Sequence, residues 1–216
     1  CIRDRSHLLL PFVRRSDAWL SEGLASYYQN VSRPRVGLLT AEQAWSKLLA
    51  GFGRGEGQAG GQTLREASRN MRRNGAFMRV YWSGAALALI ADVSLRKESG
   101  GRESLDKVLG RLADCCLPSD RAWTAVEVLQ RMDELGGGGV FMNLYERWID
   151  DRAFPDYGQA LARLGIRRNG DDLTYSAERA GRRLRDAIMA GADGDGRPAD
   201  KADLRIPNRE TTASGR

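Results

Sequence analysis

The sequence predicts a mainly α-helical protein. Apolar residues recur at helical spacing through most of the 216 residues, as at Trp19, Leu20 and Leu24. Residues that favour helix starts precede several of these runs, and glycine pairs or clusters follow them. No β-hairpin signal and no internal repeat stands out. The length and the 42% share of hydrophobic residues suit a globular chain with a sizeable core.

The helices follow one another along the chain in a simple order. Asp17 is placed to cap the first helix, and a second helix runs from about Ala41 through Phe52. The glycine-rich stretch 51–61 interrupts the pattern and predicts a loop. Capping residues, glycines and apolar periodicity then predict helices at about 63–74, 78–97, 104–116, 124–135, 140–151 and 155–166.

These patterns divide the chain into three parts. We expect residues 1–166 to form the helical part of a larger domain. We expect residues 167–191 to form a basic helical extension, with one basic helix from Tyr175 to Met189. Residues 192–216 are polar and carry few large apolar side chains, so we expect a disordered tail.

Two features limit the classes of protein that fit. The longest apolar run, residues 84–95, is too short to span a bilayer and contains Asp92, so we expect a buried core helix and no membrane span. Three cysteines, with Cys115 and Cys116 adjacent, do not make a disulfide framework and lack nearby metal-ligand partners. We expect buried or inert thiols, and the cellular compartment stays open.

The net charge of +6 raises the question of nucleic-acid binding. The basic residues cluster in two sets: Arg65, Arg69, Arg72, Arg73 and Arg79, and Arg179, Arg182, Arg183 and Arg185. Both sets have helical spacing and lie beside acids such as Glu66 and Glu178, without interleaved aromatic residues. The pattern therefore predicts solvated helix faces, and we expect no nucleic-acid partner.

The first predicted helix contains a carboxylate, Glu22, in an unusual setting. Glu22 lies within an apolar, aromatic segment, RSDAWLSEGLASYYQN, fifteen residues after His7, the only histidine. A zinc site on a helix uses two histidines at i and i+4, a glutamate between them as general base, and a third ligand from elsewhere. Glu22 is placed to be such a third ligand.

Three segments carry a resemblance to a known family. The stretches HLLLPF from His7 and WLSEGLASY from Trp19 resemble the gluzincin metallopeptidases, most of all the glycyl aminopeptidase and aminopeptidase N lineages. In that family a zinc-binding HExxH precedes a W-L/F-S/N-E-G-F-A-x-Y segment. The stretch YWSGAALAL from Tyr81 resembles the family's Y-x-K-G-A-x-x-L helix. The resemblance covers residues 1 to about 166 and implies the helical C-terminal subdomain of a zincin-type catalytic domain.

The resemblance also implies roles for particular residues. His7 matches the second histidine of the motif, Glu22 the third zinc ligand, and Tyr81 the tyrosine that stabilises the oxyanion. It implies a Zn²⁺ cofactor, a peptide substrate hydrolysed by zinc-activated water, and an upstream β-rich portion of the same protein as a partner. Since the chain begins at Cys1, within reach of the motif, we expect it to be a fragment.

The motif itself departs from the family. Positions 3 to 7 read Arg3-Asp4-Arg5-Ser6-His7, so Arg3 replaces the first histidine and Asp4 occupies the position of the general base. Arginine offers no lone pair, and its charge would repel a divalent ion by several kcal/mol at about 4 Å. Asp4 is one methylene shorter than glutamate. We therefore expect no zinc peptidase activity from the chain as written.

Two explanations of this departure stay open. The first is a damaged or misread N-terminus on an ordinary aminopeptidase-like metallopeptidase. The second is a non-catalytic pseudoenzyme or binding module on the same fold, in which the guanidinium of Arg3 pairs with Glu22.

Overall fold

The computed structural model describes residues 9–170 and 172–190, and it is mainly helical, as the sequence predicts. Arg3, Asp4, His7 and the predicted disordered tail lie outside the described residues. The helices are α1 (Ala18–Arg35), α2 (Ala41–Glu56), α3 (Leu64–Asn74), α4 (Phe77–Glu98), α5 (Leu105–Cys116), α6 (Ala125–Met132), α7 (Val140–Trp148), α8 (Gly158–Leu164) and α9 (Arg179–Ala190). A two-stranded antiparallel sheet, β1 (Ile166–Asn169) and β2 (Asp172–Tyr175), separates α8 from α9.

Reciprocal side-chain caps begin three of the helices. Thr40, Thr63 and Thr124 each accept a hydrogen bond from the backbone N–H three residues later, and the Gln or Glu there accepts from the backbone N–H of the threonine. Each of these reciprocal arrangements, known as a capping box, provides hydrogen-bond acceptors for two N–H groups near the helix start. The predicted boundaries at Thr63 and Thr124 are confirmed, and Ser104 caps α5 as expected.

The predicted cap at Asp17 is wrong. Its side chain makes no capping hydrogen bond to α1. Instead, Oδ2 of Asp17 accepts a hydrogen bond of 3.0 Å from the backbone N–H of Ala125, the first residue of α6. A carboxylate is stabilised at a helix N-terminus wherever it comes from. Asp17 therefore links the segment before α1 to the start of α6.

The glycine-rich stretch is helical as far as Glu56, so the predicted loop at 51–61 is wrong over its first half. The physical reason is close packing rather than chain flexibility. A side-chain carbon on Gly55 would lie 2.7 Å from Cβ of Trp82, and one on Gly51 would overlap the ring of the same tryptophan. Both glycines thus create the space that Trp82 fills.

The centre of the fold is the packing of α1 against α4. The two helices touch at Gly23 and Gly84, where a side-chain carbon on Gly84 would lie 2.7 Å from Cα of Gly23. The contacts between α1 and α4 advance in the same direction along both helices, from the Trp19–Gly84 contact to the Tyr27–Asp92 hydrogen bond. Helix α4 is buried along most of residues 84–95, which confirms the predicted core helix.

A buried polar cluster ties the far end of this helix pair to α5. Asp92 is 1% exposed and accepts hydrogen bonds from the hydroxyl of Tyr27 at 2.8 Å, from Nε of Arg96 at 2.9 Å and from the backbone N–H of Leu105 at 2.9 Å. A buried carboxylate is tolerated when several donors surround it. Asp92 therefore fixes the relative positions of α1, α4 and α5.

The region after α8 differs from the prediction. A β-hairpin pairs Ile166 with Tyr175 and Asn169 with Asp172, and the basic helix begins at Arg179 rather than at Tyr175. Asn-Gly at 169–170, with φ of +62° at Gly170, is a hairpin signal that the sequence did contain. The residues on either side of this signal are charged rather than alternately apolar, so the hydrophobic pattern does not predict the two strands.

Two further expectations have clear outcomes. Within the described residues, no helix is both long enough and apolar enough to cross a bilayer. Cys115 and Cys116 form a disulfide with each other, so the expectation of inert, buried thiols is wrong for this pair. Cys115 is exposed at the end of α5 and Cys116 is half-buried.

Candidate functional site

Two residues that the resemblance singled out lie on the two central helices. Glu22 is half-buried on α1, directly before the contact residue Gly23. Tyr81 is half-buried on α4, one helical turn before the contact residue Gly84, and its ring packs edge-on against Phe77 at 6.2 Å between centroids. The helix crossing therefore brings the backbone positions of Glu22 and Tyr81 to the same region of the fold.

A cleft of about 560 Å³ opens beside Glu22. One wall is the segment Leu10–Arg15 with the start of α1, and the other is residues 68–73 of α3. Among the described residues, Glu22 lines this cleft and Tyr81 does not. Its size is within the range of ligand-binding pockets.

The wall before α1 is held in an extended conformation by Trp123. The backbone N–H of Arg14 donates to the carbonyl of Trp123, and the N–H of Trp123 donates to the carbonyl of Phe12, each at 2.8 Å. Val13 is buried between these bonds, whereas the side chains of Phe12 and Arg14 are exposed, Phe12 by 65%. The alternation of an extended strand therefore directs Phe12 and Arg14 away from the core.

The cleft is strongly basic. Five exposed arginines line it, namely Arg14, Arg15, Arg69, Arg72 and Arg73. In the described part of the chain none of the five forms an ion pair, and the recorded partner of Arg73 is the amide oxygen of Asn70 at 2.6 Å. Arg65, one turn from Arg69, differs because it holds Asp150 with two hydrogen bonds of 2.7 and 2.8 Å.

The prediction of solvated helix faces is therefore correct for some arginines and wrong for others. Arg69, Arg72 and Arg73 are exposed, as predicted. Arg79 is only 2% exposed and donates from Nη2 to three consecutive carbonyls, those of Asp151, Arg152 and Ala153. Burial lowers the pKa of Arg79 from its usual value.

Arg185, in the second basic set, is also buried rather than solvated. It is 9% exposed, and its guanidinium donates to the carbonyls of Leu164 and Ser176. Both buried arginines therefore hold backbone carbonyls in loops or at a helix end, and neither presents its charge to the solvent. Neither Arg79 nor Arg185 lines the cleft, so neither contributes to its basic surface.

The described residues alone do not fit a zinc ion. Across residues 9–170 and 172–190, no three His, Cys, Asp or Glu side chains gather closely enough to hold a metal. Among the described lining residues, Glu22 is the one carboxylate, and it is accompanied by five guanidinium groups. A divalent cation there would meet a net positive field. Because His7 lies outside the described residues, the roles of His7 and Glu22 as a ligand pair stay a prediction.

The sequence did not draw attention to Arg14 and Arg15. They form a doublet shortly before the helix that carries Glu22, and the structure brings them to the same cleft as Arg69 and Arg72. The sequence does contain a signal for this basic cleft, namely two adjacent arginines close to the helix that carries Glu22. No protein-family model and no curated protein sequence matches this chain.

Proposed function

We propose that the chain is the helical part of a gluzincin-like metallopeptidase domain that, as written, binds a peptide beside Glu22 without hydrolysing it. The observation that carries the proposal is the position of Glu22, which lines a cleft of ligand-binding size between α3 and the start of α1, and which directly precedes the contact residue Gly23. The gluzincin part of the proposal rests on the WLSEGLASY and YWSGAALAL segments, whose glycines, Gly23 and Gly84, are the contact residues of that crossing.

The close contact supports the lineage because it gives a reason for the glycines of both segments. Gly23 follows Glu22 directly, and Gly84 follows Tyr81 by one turn. A larger residue at either position would push the helices apart and separate the backbones that carry Glu22 and Tyr81. The two segments are thus coupled by packing and not by sequence alone.

Of the two explanations for Arg3 and Asp4, the cleft favours the pseudoenzyme. The described lining carries five arginines and one carboxylate, and the sequence motif has an arginine, Arg3, in place of its first histidine. A damaged copy of a zinc enzyme would have lost one motif but would keep a cleft suited to a cation. This cleft suits an anionic ligand instead.

Zinc stoichiometry tests the proposal. The natural chain and an Arg3→His, Asp4→Glu variant are purified, dialysed against zinc and analysed for bound metal, with hydrolysis of an aminoacyl reporter as a second readout. We expect no zinc and no hydrolysis from the natural chain, and one zinc from the variant. Adding Glu22→Gln to the variant abolishes that zinc, whereas adding Glu146→Gln on α7 leaves it.

Two outcomes would contradict the proposal. One zinc bound by the natural chain would mean that Arg3 does not exclude the metal. Zinc binding by neither protein would remove the support for a gluzincin lineage.

A further inference from the structure

We infer that the basic cleft selects acidic peptides, meaning a short segment with several Asp or Glu side chains and one apolar side chain. The inference rests on the proposed function, because it names the class of peptide that the cleft beside Glu22 takes. Its evidence is independent of the zinc motif and consists of the charge, exposure and packing of the described lining residues.

The first argument is uncompensated charge. Arg69, Arg72 and Arg73 lie on one helix at spacings of three and four residues, where like charges repel and destabilise the helix. Arg14 and Arg15 approach the same cleft from the opposite wall. Several arginines elsewhere in the described chain are paired, as Arg65 with Asp150 and Arg96 with Asp92, whereas the five of the cleft form no ion pair with a described residue. A ligand that carries carboxylates supplies the missing counter-charges.

The second argument is the geometry of the donors. A guanidinium group presents its N–H donors in a planar fork that matches the two oxygens of a carboxylate. Arginines contributed to one cleft by two segments of the chain can therefore hold separate carboxylates of one peptide. Lysine would supply the charge without this directional match, and the lining contains none.

The third argument is the exposed phenylalanine. Phe12 is 65% exposed in the cleft wall, and its backbone carbonyl is fixed by the N–H of Trp123 at 2.8 Å. An exposed aromatic ring in the lining of a basic cleft offers apolar surface against which one apolar side chain of a ligand can pack. Phe12 therefore accounts for the one apolar residue in the inferred ligand.

The lining favours a peptide over a nucleic acid. Single-stranded nucleic acids bind on several aromatic rings that stack successive bases, and Phe12 is the one aromatic side chain among the described lining residues.

Fluorescence anisotropy of three labelled peptides tests the inference on the full chain. The peptides share one leucine and differ only in their other residues, which are glutamate, glutamine or lysine. We expect the glutamate peptide to bind at least about tenfold more tightly than the glutamine peptide, with an affinity that falls as salt rises, and the lysine peptide not to bind.

Two double variants locate the binding. Arg14→Gln with Arg15→Gln, and Arg69→Gln with Arg72→Gln, each remove two charges from one wall and are expected to weaken binding about tenfold. The matched control, Arg179→Gln with Arg183→Gln, removes two exposed charges on α9, which packs near the opposite end of α1. The control is expected to bind within twofold of the natural chain. Circular dichroism verifies that all three variants are folded.

Failure of the inference can be told apart from failure of the proposed function. Equal binding of the glutamate and glutamine peptides overturns the acidic preference and leaves peptide binding in place. Binding of none of the three peptides overturns both. An equal loss of affinity in the α9 control overturns the location of the site. Tighter binding of a single-stranded oligonucleotide than of the glutamate peptide, lost in the cleft variants, assigns the cleft to nucleic acid instead.

Discussion

Gly23 and Gly84 bring the backbones of α1 and α4 into direct contact. A side-chain carbon on Gly84 would lie 2.7 Å from Cα of Gly23 and would overlap the carbonyl of Trp19. Backbone atoms cannot move aside as the end of a flexible side chain can. The identity of these two residues therefore sets how closely the central helices pack and where Glu22 and Tyr81 lie.

The first prediction concerns this contact. Gly84→Ala adds one methyl group at a position with no room for it, and we expect a loss of about 2–3 kcal/mol in the free energy of unfolding. Urea denaturation measures the loss. Gly110→Ala is the matched control, because Gly110 is exposed within α5 with no atom near its missing side chain. There we expect a gain of about 0.5–1 kcal/mol from helix propensity. Equal effects at the two positions would contradict the prediction.

The second prediction separates the helical from the loop interpretation of residues 51–56. Gly51→Ala would force a methyl group against the ring of Trp82, and we expect a loss of about 1–3 kcal/mol in stability. Gly53→Ala meets only the guanidinium end of Arg168, at 3.3 Å, which can move. Gly53→Ala should therefore be neutral or slightly stabilising in the same denaturation experiment. A neutral Gly51→Ala would instead favour a loop.

The third prediction concerns the buried hydroxyl of Tyr27. Burial, followed by the charge of Asp92, raises the pKa of Tyr27 well above its usual 10.0. The folded state therefore keeps the proton that the unfolded state releases above pH 10, and the stability due to this group falls as pH rises beyond 10.

Tyr27→Phe tests both parts of that argument. At neutral pH the loss of the 2.8 Å hydrogen bond to Asp92 should cost about 1.5–3 kcal/mol, because the acceptor is charged. The difference in the free energy of unfolding between the natural chain and the variant should become smaller above pH 10. A difference that is constant from pH 7 to 11 would show that Tyr27 ionises equally in both states.

The fourth prediction concerns the capping box of α6. Hydrogen bonds from the backbone N–H of Thr124 and from Arg121 lower the pKa of Glu127 to about 2. A lowered carboxyl pKa contributes stability that is fully present above the usual value of 4.5 and is lost as pH falls toward 2. Glu127→Gln should therefore be less stable than the natural chain at pH 6 and match it near pH 2. Thermal unfolding at both pH values measures the difference. A difference that does not change with pH would refute the assignment.

The sequence predicts best the features that depend on neighbouring residues. Capping at Thr63, Thr124 and Ser104 requires only a hydroxyl and a residue three positions later, so these helix starts are correct. The buried helix at 84–95 is correct because its apolar residues surround the whole helix. Asn169-Gly170 shows that a local signal can also be overlooked when the strands beside it are charged.

Features that depend on distant residues could not be predicted. Gly51 looks like a helix breaker until Trp82, thirty-one residues later, is known to fill its space. The cleft likewise brings together Arg14 and Arg69, which are fifty-five residues apart in the sequence and line one cavity only because the start of α1 packs near α3. Glu22 was found because a whole segment, rather than one residue, resembles a known motif.

The buried guanidinium of Arg79 has a consequence for how the protein opens. Its three hydrogen bonds to the carbonyls of residues 151–153 connect the loop between α7 and α8 to the first turn of α4. That loop also accepts hydrogen bonds from backbone N–H groups at and just before the start of α3, as in the bond from the N–H of Arg65 to the carbonyl of Ile149. The loop therefore cannot open without freeing a buried charge. The amides of Gly60, Leu64 and Arg65, which donate to carbonyls of this loop or of the end of the helix before it, should therefore exchange with deuterium together, as a single cooperative unit.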